Sequence, residues 1–272
     1  MTGSFVPILM YHEVAPALPG PDEQFMTPSY VMTSKLFEEQ MQALAQSGYR
    51  SLLFDEVEGA PPGGKYVVIT FDDGLAGNCT HAAPILRRYG FRATFFVAVG
   101  LVSTPHYMTW AQLKGLADAG MAIQSHTVNH RPLETLSDVE VRTELQESKS
   151  TIEERVGARV TAFSFPHGSY DARSRRIAHE SGYRFLCTSD VQRTCQEHFR
   201  SRPALLGRFS VTNHTAPTAF MAWVRGEPAA ILHAKLRKGA KTLLRKTIGV
   251  RNYSRLYQLY FGIRPRPRSG AP

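Results

Sequence analysis

Tyr66-Val67-Val68-Ile69-Thr70-Phe71-Asp72-Asp73-Gly74 is the stretch on which the reading of the fold turns. Its first six side chains are all β-branched or aromatic, which suits a strand buried on both faces of a helix-covered parallel sheet. Two adjacent carboxylates and a glycine then end it. In parallel α/β folds, polar residues at the C-terminal end of a strand lie where active sites are built. Outward from this strand, apolar runs alternate with helical patterns. Residues 6–11, 93–99, 121–125, 163–165 and 183–188 read as strands. Residues 34–48, roughly 81–89, 110–118, 138–156 and 174–181 read as helices, stopped by Gly48, Gly90, Gly120, Gly157 and Gly182. The βα rhythm predicts a parallel sheet, open or closed into a barrel.

Composition sharpens this reading. The 272 residues carry 32 Lys+Arg against 23 Asp+Glu, a formal +9. The excess is not spread evenly, because the last acid is Glu227 and eleven bases follow it, from Lys235 to Arg268. Residues 1–227 hold 21 bases and 23 acids, which suits one barrel-sized domain, and residues 228–272 form a +11 extension. A uniformly basic protein is excluded. So is a disordered chain, with 43% hydrophobic and 20% charged residues. Cys79, Cys187 and Cys195 are too few and too scattered for a disulfide framework or a cysteine zinc site. MTGSFVPILMYHEV lacks a basic start and a long apolar core, and no stretch approaches the roughly 18–20 apolar residues of a membrane span. The expectation is a cytoplasmic protein, peripheral on the inner face of the membrane.

Three clusters carry chemistry. Asp72 and Asp73 repel one another unless a cation or a shared proton relieves them; the plain alternative is an Asp-Gly turn with one Asp capping the next helix. In Ser125-His126-Thr127-Val128-Asn129-His130, the i, i+4 spacing predicts both imidazoles on one face of a helical turn, unless the two histidines are incidental. Two neutral imidazoles and one carboxylate make a three-ligand site with open positions, suited to Zn²⁺ or another water-activating transition ion. Phe163-Ser164-Phe165-Pro166-His167-Gly168 predicts a tight turn whose free N–H stabilises an oxyanion, or an ordinary Pro-Gly turn.

TFDDG (70–74), SHTVNH (125–130) and FSFPHG (163–168), in this order, resemble the NodB-homology polysaccharide deacetylases, carbohydrate esterase family 4, over roughly residues 5–215. The resemblance implies a distorted (β/α) barrel of about seven strands, here followed by a basic helical C-terminal extension. It implies metal-dependent hydrolysis of an acetyl group. Asp72 would be the general base, and Asp73, His126 and His130 the ligands of one divalent ion, Zn first, with Co, Ni or Mn as alternatives. The backbone N–H of His167 would occupy the oxyanion position, beside Pro166.

Two departures stand out. Many relatives place an Arg two residues before the motif proline, where this chain has Ser164. Their late strand ending in a general-acid histidine has its nearest text in Ile231-Leu232-His233, which reads better as helix, so the acid is unassigned. Met10-Tyr11-His12-Glu13-Val14 instead resembles the MYHxV opening of a branch that includes poly-N-acetylglucosamine deacetylases, with His12 lining the cleft or standing as a solvent-facing loop histidine. Trp110 offers a ring for sugar stacking or for core packing. The expected substrate is an N-acetylated sugar or glycan intermediate of polysaccharide or glycolipid biosynthesis. The alternatives are an amidohydrolase acting on a non-sugar C–N bond and a catalytically silent glycan-binding domain.

In the extension, Ile231, Leu232, Leu236, Ala240, Leu243, Leu244 and Ile248 recur near helical spacing among lysines and arginines. Tyr253, Leu256, Tyr257, Tyr260 and Phe261 follow. This make-up predicts peripheral contact with an anionic membrane, against a helix docked on the barrel with solvated cations. Nucleic acid is not expected, because the body offers no supporting motif.

Overall fold

A computed structural model describes residues 4–20 and 26–240. The first half of the fold contains β1 (Ile8–Tyr11), β2 (Glu13–Ala15), β3 (Val31–Thr33), α1 (Ser34–Gln46), β4 (Arg50–Ser51), α2 (Phe54–Val57), β5 (Tyr66–Phe71), α3 (Ala83–Arg88) and β6 (Thr94–Val97). There follow α4 (Trp110–Asp118), β7 (Ala122–Ser125), α5 (Asp138–Val156), β8 (Ala162–Ser164), α6 (Ala172–Glu180), β9 (Phe185–Cys187), β10 (Ala204–Leu206), β11 (Phe209–Ser210) and α7 (Pro217–Val224). Residues 228–240 are again helical.

The main sheet runs β10-β9-β8-β7-β6-β5-β1-β11, with every pairing parallel. Among the described residues its edge strands β10 and β11 do not pair with each other, so the curled sheet is a distorted barrel left unclosed. β4 lies along the first half of β5 (Arg50↔Tyr66) and β6 along the second (Thr70↔Thr94). The expected count of about seven strands is exceeded, because β4, β10 and β11 are two or three residues long and carry no alternation. β2 and β3 form a separate parallel pair.

Parallel pairing brings the C-terminal ends of the strands to one edge. Tyr11 is level with Phe71, and Val97 with Ser125, which is level with Phe163. His12, Asp72, His126 and Pro166 therefore follow their strands onto the same rim. Beneath it every residue of β5 is buried. Phe71 stacks between Tyr11 at 5.4 Å and Phe95 at 5.0 Å between ring centroids. Replacing such a buried phenylalanine by alanine costs about 3–5 kcal/mol.

The helices begin and end as their sequences direct. In α5, Ser137 accepts from the Glu140 N–H and Glu140 accepts from the Ser137 N–H, a reciprocal cap that contributes about 1 kcal/mol. Gly157 ends it at φ 75°, a conformation that favours glycine. The helix expected over 81–89 starts earlier, as a wide turn over Asn78–Ala82 that leads into α3. One expectation fails outright: residues 126–130 form a loop, with Thr127 and His130 at positive φ, and not a helical turn.

The basic extension is partly seated on the barrel. Ile231 is buried in the main core cluster, whereas His233 lies exposed on the helix. Leu243, Leu244, Ile248 and the second apolar set lie outside the described residues. Among the described residues, no helix is long and apolar enough to cross a membrane.

Candidate active site

Asp73, His126 and His130 offer donor atoms that all lie within 4.8 Å of one another. The Asp73 Oδ1 is 3.3 Å from His126 Nε2 and 3.2 Å from His130 Nε2. His126 is buried, and its Nδ1 lies 2.7 Å from the Ser164 carbonyl oxygen. That oxygen can only accept, so Nδ1 carries the proton and a neutral His126 turns a bare Nε2 lone pair toward Asp73. Lone pairs converging from a carboxylate and two imidazoles are a donor set for a divalent ion. With no ion, the same pressure falls on protons. Burial lowers the His126 pKa, but the bond to Asp73 outweighs it and holds the imidazole above its ordinary value. Burial pushes the Asp73 carboxyl up, and its bonds to His126 and His130 bring it well below the usual range.

The chain is bent to assemble this cluster. Asp73, Thr127, His130 and His167 all have positive φ, of 78°, 69°, 54° and 58°. Such non-glycine residues cost of order 1–3 kcal/mol each and persist only where the surroundings over-determine them. Glu144 of α5 supplies part of that constraint. Its Oε2 accepts from the Val128 and Asn129 N–H groups at 2.8 Å each, and its Oε1 accepts from Asn129 Nδ2 at 2.7 Å. The His130 N–H donates to Thr127 Oγ1 at 3.0 Å. Gly74, at φ 83°, passes so close to Val97 that a Cβ would lie 3.1 Å from its Cγ1.

Asp72 is held differently. Arg208, 1% exposed, donates from Nη1 to Asp72 Oδ1 and from Nη2 to Asp72 Oδ2, both at 2.7 Å. Its remaining donors reach Thr188 O at 3.0 Å, Thr70 Oγ1 at 3.1 Å and Ser164 Oγ at 2.8 Å. All five guanidinium N–H donors are thereby used. Ser164 passes the contact on, since its hydroxyl donates to Asp72 Oδ2 at 3.1 Å. Burial pushes the Asp72 carboxyl up, and the guanidinium overcomes this and holds it below its ordinary value. Asp72 and Asp73 are adjacent carboxylates ionised by different partners, a fork for one and imidazoles for the other. Neither caps a helix.

Sequence reading missed Arg208. The signal was present in Ala204-Leu205-Leu206-Gly207-Arg208-Phe209, where a lone cation sits inside an apolar run while the pair at Asp72 lacks an assigned counter-charge. Ser164, read as a loss, is a relay: its carbonyl fixes His126 and its hydroxyl bridges Arg208 to Asp72.

His12 follows β1 and packs on the Tyr30 ring at 4.4 Å between centroids. Its Nδ1 is buried without a hydrogen-bond partner among the described residues. Burial lowers its pKa, against the fields of Asp73 and Asp72. Asn78 Nδ2 donates to the His12 carbonyl at 2.6 Å, and Gly77 leaves room for Glu13, whose Oε1 a Cβ there would meet at 2.1 Å. Pro166 is buried, and His167 follows it in the left-handed region, exposed, with its ring 4.6 Å from that of His130. Trp110 opens α4 and is half-buried against the core.

These features define a class first: an α/β fold whose strand rim carries a carboxylate paired with arginine beside a three-donor cluster that could hold a divalent ion. Residues 59–186 match the family described as Polysaccharide deacetylase, so the chain carries a domain of that family. It is 31% identical over 190 residues to YxkH of Bacillus subtilis (strain 168), which bears the polysaccharide deacetylase name, covering 68% of this chain and 64% of that one. It is 30% identical over 129 residues to poly-beta-1,6-N-acetyl-D-glucosamine N-deacetylase of Escherichia coli (strain K12), covering 40% and 19%. The Streptococcus pyogenes deacetylase PplD, solved in complex with acetate, superposes with TM-score 0.73 and 28% identity over 82% of this chain and 99% of that one. The chain spans 64%, 45% and 46% of the length of the first three curated relatives. Arg208 lies beyond the segment that matches the family.

Proposed function

We propose that this protein is a metal-dependent N-deacetylase that hydrolyses the acetamide of an N-acetylated sugar within a glycan or glycan precursor, in polysaccharide or glycolipid biosynthesis. The observation that carries the reading is the pairing of Asp72, kept ionised by Arg208, with the Asp73–His126–His130 cluster one residue away. A silent binding domain has no use for a buried carboxylate held by a five-donor fork. The N-acetylglucosamine polymer in the name of the E. coli relative supports the choice of an acetamido sugar over a non-sugar amide.

Asp73, His126 and His130 would hold one divalent ion, Zn²⁺ first among candidates, and when bound it supplies Lewis acidity to water and to the acetyl carbonyl. Asp72, which the Arg208 guanidinium holds below its ordinary pKa, accepts the proton of the attacking water. The His167 N–H stabilises the oxygen that gains charge as the water oxygen bonds to the carbonyl carbon. The C–N bond then breaks, and the leaving nitrogen needs a proton. We assign that delivery to His12, which follows β1 onto the same rim: the proton that Asp72 took from water passes through it to the leaving nitrogen.

The test is acetate release across free, nucleotide-linked and lipid-linked N-acetyl sugars and oligomers, with metal content measured in parallel. Activity that requires one equivalent of divalent ion and falls about 10³-fold or more in Asp72→Asn supports the reading. Full activity in that variant would sink it.

A further inference from the structure

Helix 228–240 carries features that catalysis does not use. Ile231 is 5% exposed and seats the helix on the core, while Leu232 and Leu236 stand 58% and 65% exposed. Four residues apart, they share one stripe of the helix. Lys235 and Arg237 stand exposed on the same helix, and residues 241–272 add eight bases and no acid. Large apolar side chains held in water beside that many cations call for a counterpart that is apolar and anionic together. A bilayer interface with anionic headgroups offers both at every point, which a folded protein surface does not.

The placement of the helix gives this surface a direction. Lys238 Nζ donates to Asp190 Oδ1 at 2.6 Å, and Tyr170 Oη donates to Asp190 Oδ2 at 2.8 Å. The main-chain oxygen of Asp190 accepts from the Arg208 N–H at 2.9 Å. Tyr170 follows the turn that carries His167 and packs its ring 5.1 Å from that of Phe165, and Arg208 grips Asp72. One aspartate thus ties the basic helix to both halves of the catalytic rim.

We infer that the exposed face of residues 228–240, with the cationic segment after it, binds the surface of an anionic bilayer, and that the Lys238–Asp190 tie turns the catalytic rim toward that surface. Bilayer binding stands independently of the deacetylase reading. Only the corollary, that the substrate is presented at a membrane surface, rests on it.

The full-length protein is co-sedimented with vesicles of phosphatidylcholine alone and of phosphatidylcholine mixed with phosphatidylglycerol. Binding to the mixed vesicles, weakened by salt, is expected. Leu232→Gln/Leu236→Gln should weaken it about a hundred-fold, with thermal unfolding unchanged because both side chains are already exposed. Equal binding to neutral vesicles, or undiminished binding by the double variant, overturns the inference. Retention on duplex DNA without vesicle binding overturns it too and assigns the cations to nucleic acid. For the orientation, a bimane on Ala172→Cys, two residues past Tyr170, is read against the unsubstituted protein. Quenching by doxyl lipid that falls in Lys238→Ala at unchanged binding supports the tie, and no quenching in either protein refutes it. A chain that binds vesicles but releases no acetate from any substrate leaves this inference intact and removes the deacetylase reading instead.

Discussion

Replacing Arg208 separates a positioning role from a merely structural one. Arg208→Met keeps an unbranched apolar stem and removes the fork. It leaves Asp72, 4% exposed, with only the Ser164 hydroxyl from its present set of side-chain donors. Stripping one partner from a buried ion pair costs about 3–5 kcal/mol, because the remaining charge is left uncompensated. Neither end of this pair is open to solvent, at 1% and 5% side-chain exposure, so screening does not discount the figure. With the guanidinium gone, burial is opposed only by the fields of His126 and His12 and by the Ser164 hydroxyl, and the Asp72 pKa rises. The sign follows: the wild-type pair stabilises the fold above the ordinary carboxylate range and loses this contribution as pH falls through the depressed folded pKa of Asp72. In the variant the acid limb of kcat/KM should therefore move to higher pH, with kcat down about 10²–10³-fold from misorientation of the base. Arg208→Lys keeps charge without the fork and should restore stability more than rate. Urea melts of the wild type, Arg208→Met, Asp72→Asn and the double variant complete the cycle. The double variant should recover part of the loss, since the uncompensated charge is gone. Wild-type kcat with an unmoved acid limb in Arg208→Met would refute the reasoning.

Glu144→Ala should cost about 2–4 kcal/mol in a denaturant melt through three stranded donors, and lower metal affinity about 10–100-fold by calorimetry as the His126–His130 loop relaxes. His130→Ala should remove stoichiometric divalent ion in elemental analysis, and an undiminished metal content would displace His130 from the ligand set. Burial pushes Glu13 from 4.5 up to about 7, so the folded protein keeps a proton that the unfolded chain releases. Stability should then fall by up to about 3 kcal/mol as pH rises across that window. Glu13→Gln should flatten the fall in thermal scans, and a steeper decline in the variant would contradict the assignment.

How far these residues could be read in advance followed from the range of the forces involved. β5 and the helices Trp110–Asp118 and Asp138–Val156 were legible to the residue, because continuous burial, capping residues and a stop glycine are local properties. The metal-type cluster was legible through Asp73, His126 and His130, although the imagined helical turn is a loop braced by Glu144, fourteen residues beyond His130. β10 and β11 were not legible, since two or three residues carry no period, and Arg208 sits between them. Its meaning depends on a partner 136 positions away, a pairing that only the sheet order creates. Ser164 was misjudged for the same reason: the arginine missing at that position is supplied from the turn between β10 and β11.

That arrangement has a consequence for how the chain comes to be folded during synthesis. The side chains of the metal-type cluster have all been made once residue 130 is in place, and the His167 turn soon after. Until residue 208 emerges, however, the centre of the sheet holds an ionised carboxylate with no cation to face. A nascent chain short of that point cannot close its core around Asp72 without protonating it or leaving it wet. Completing the sheet with its last strands is therefore also the step that supplies Asp72 with its counter-charge.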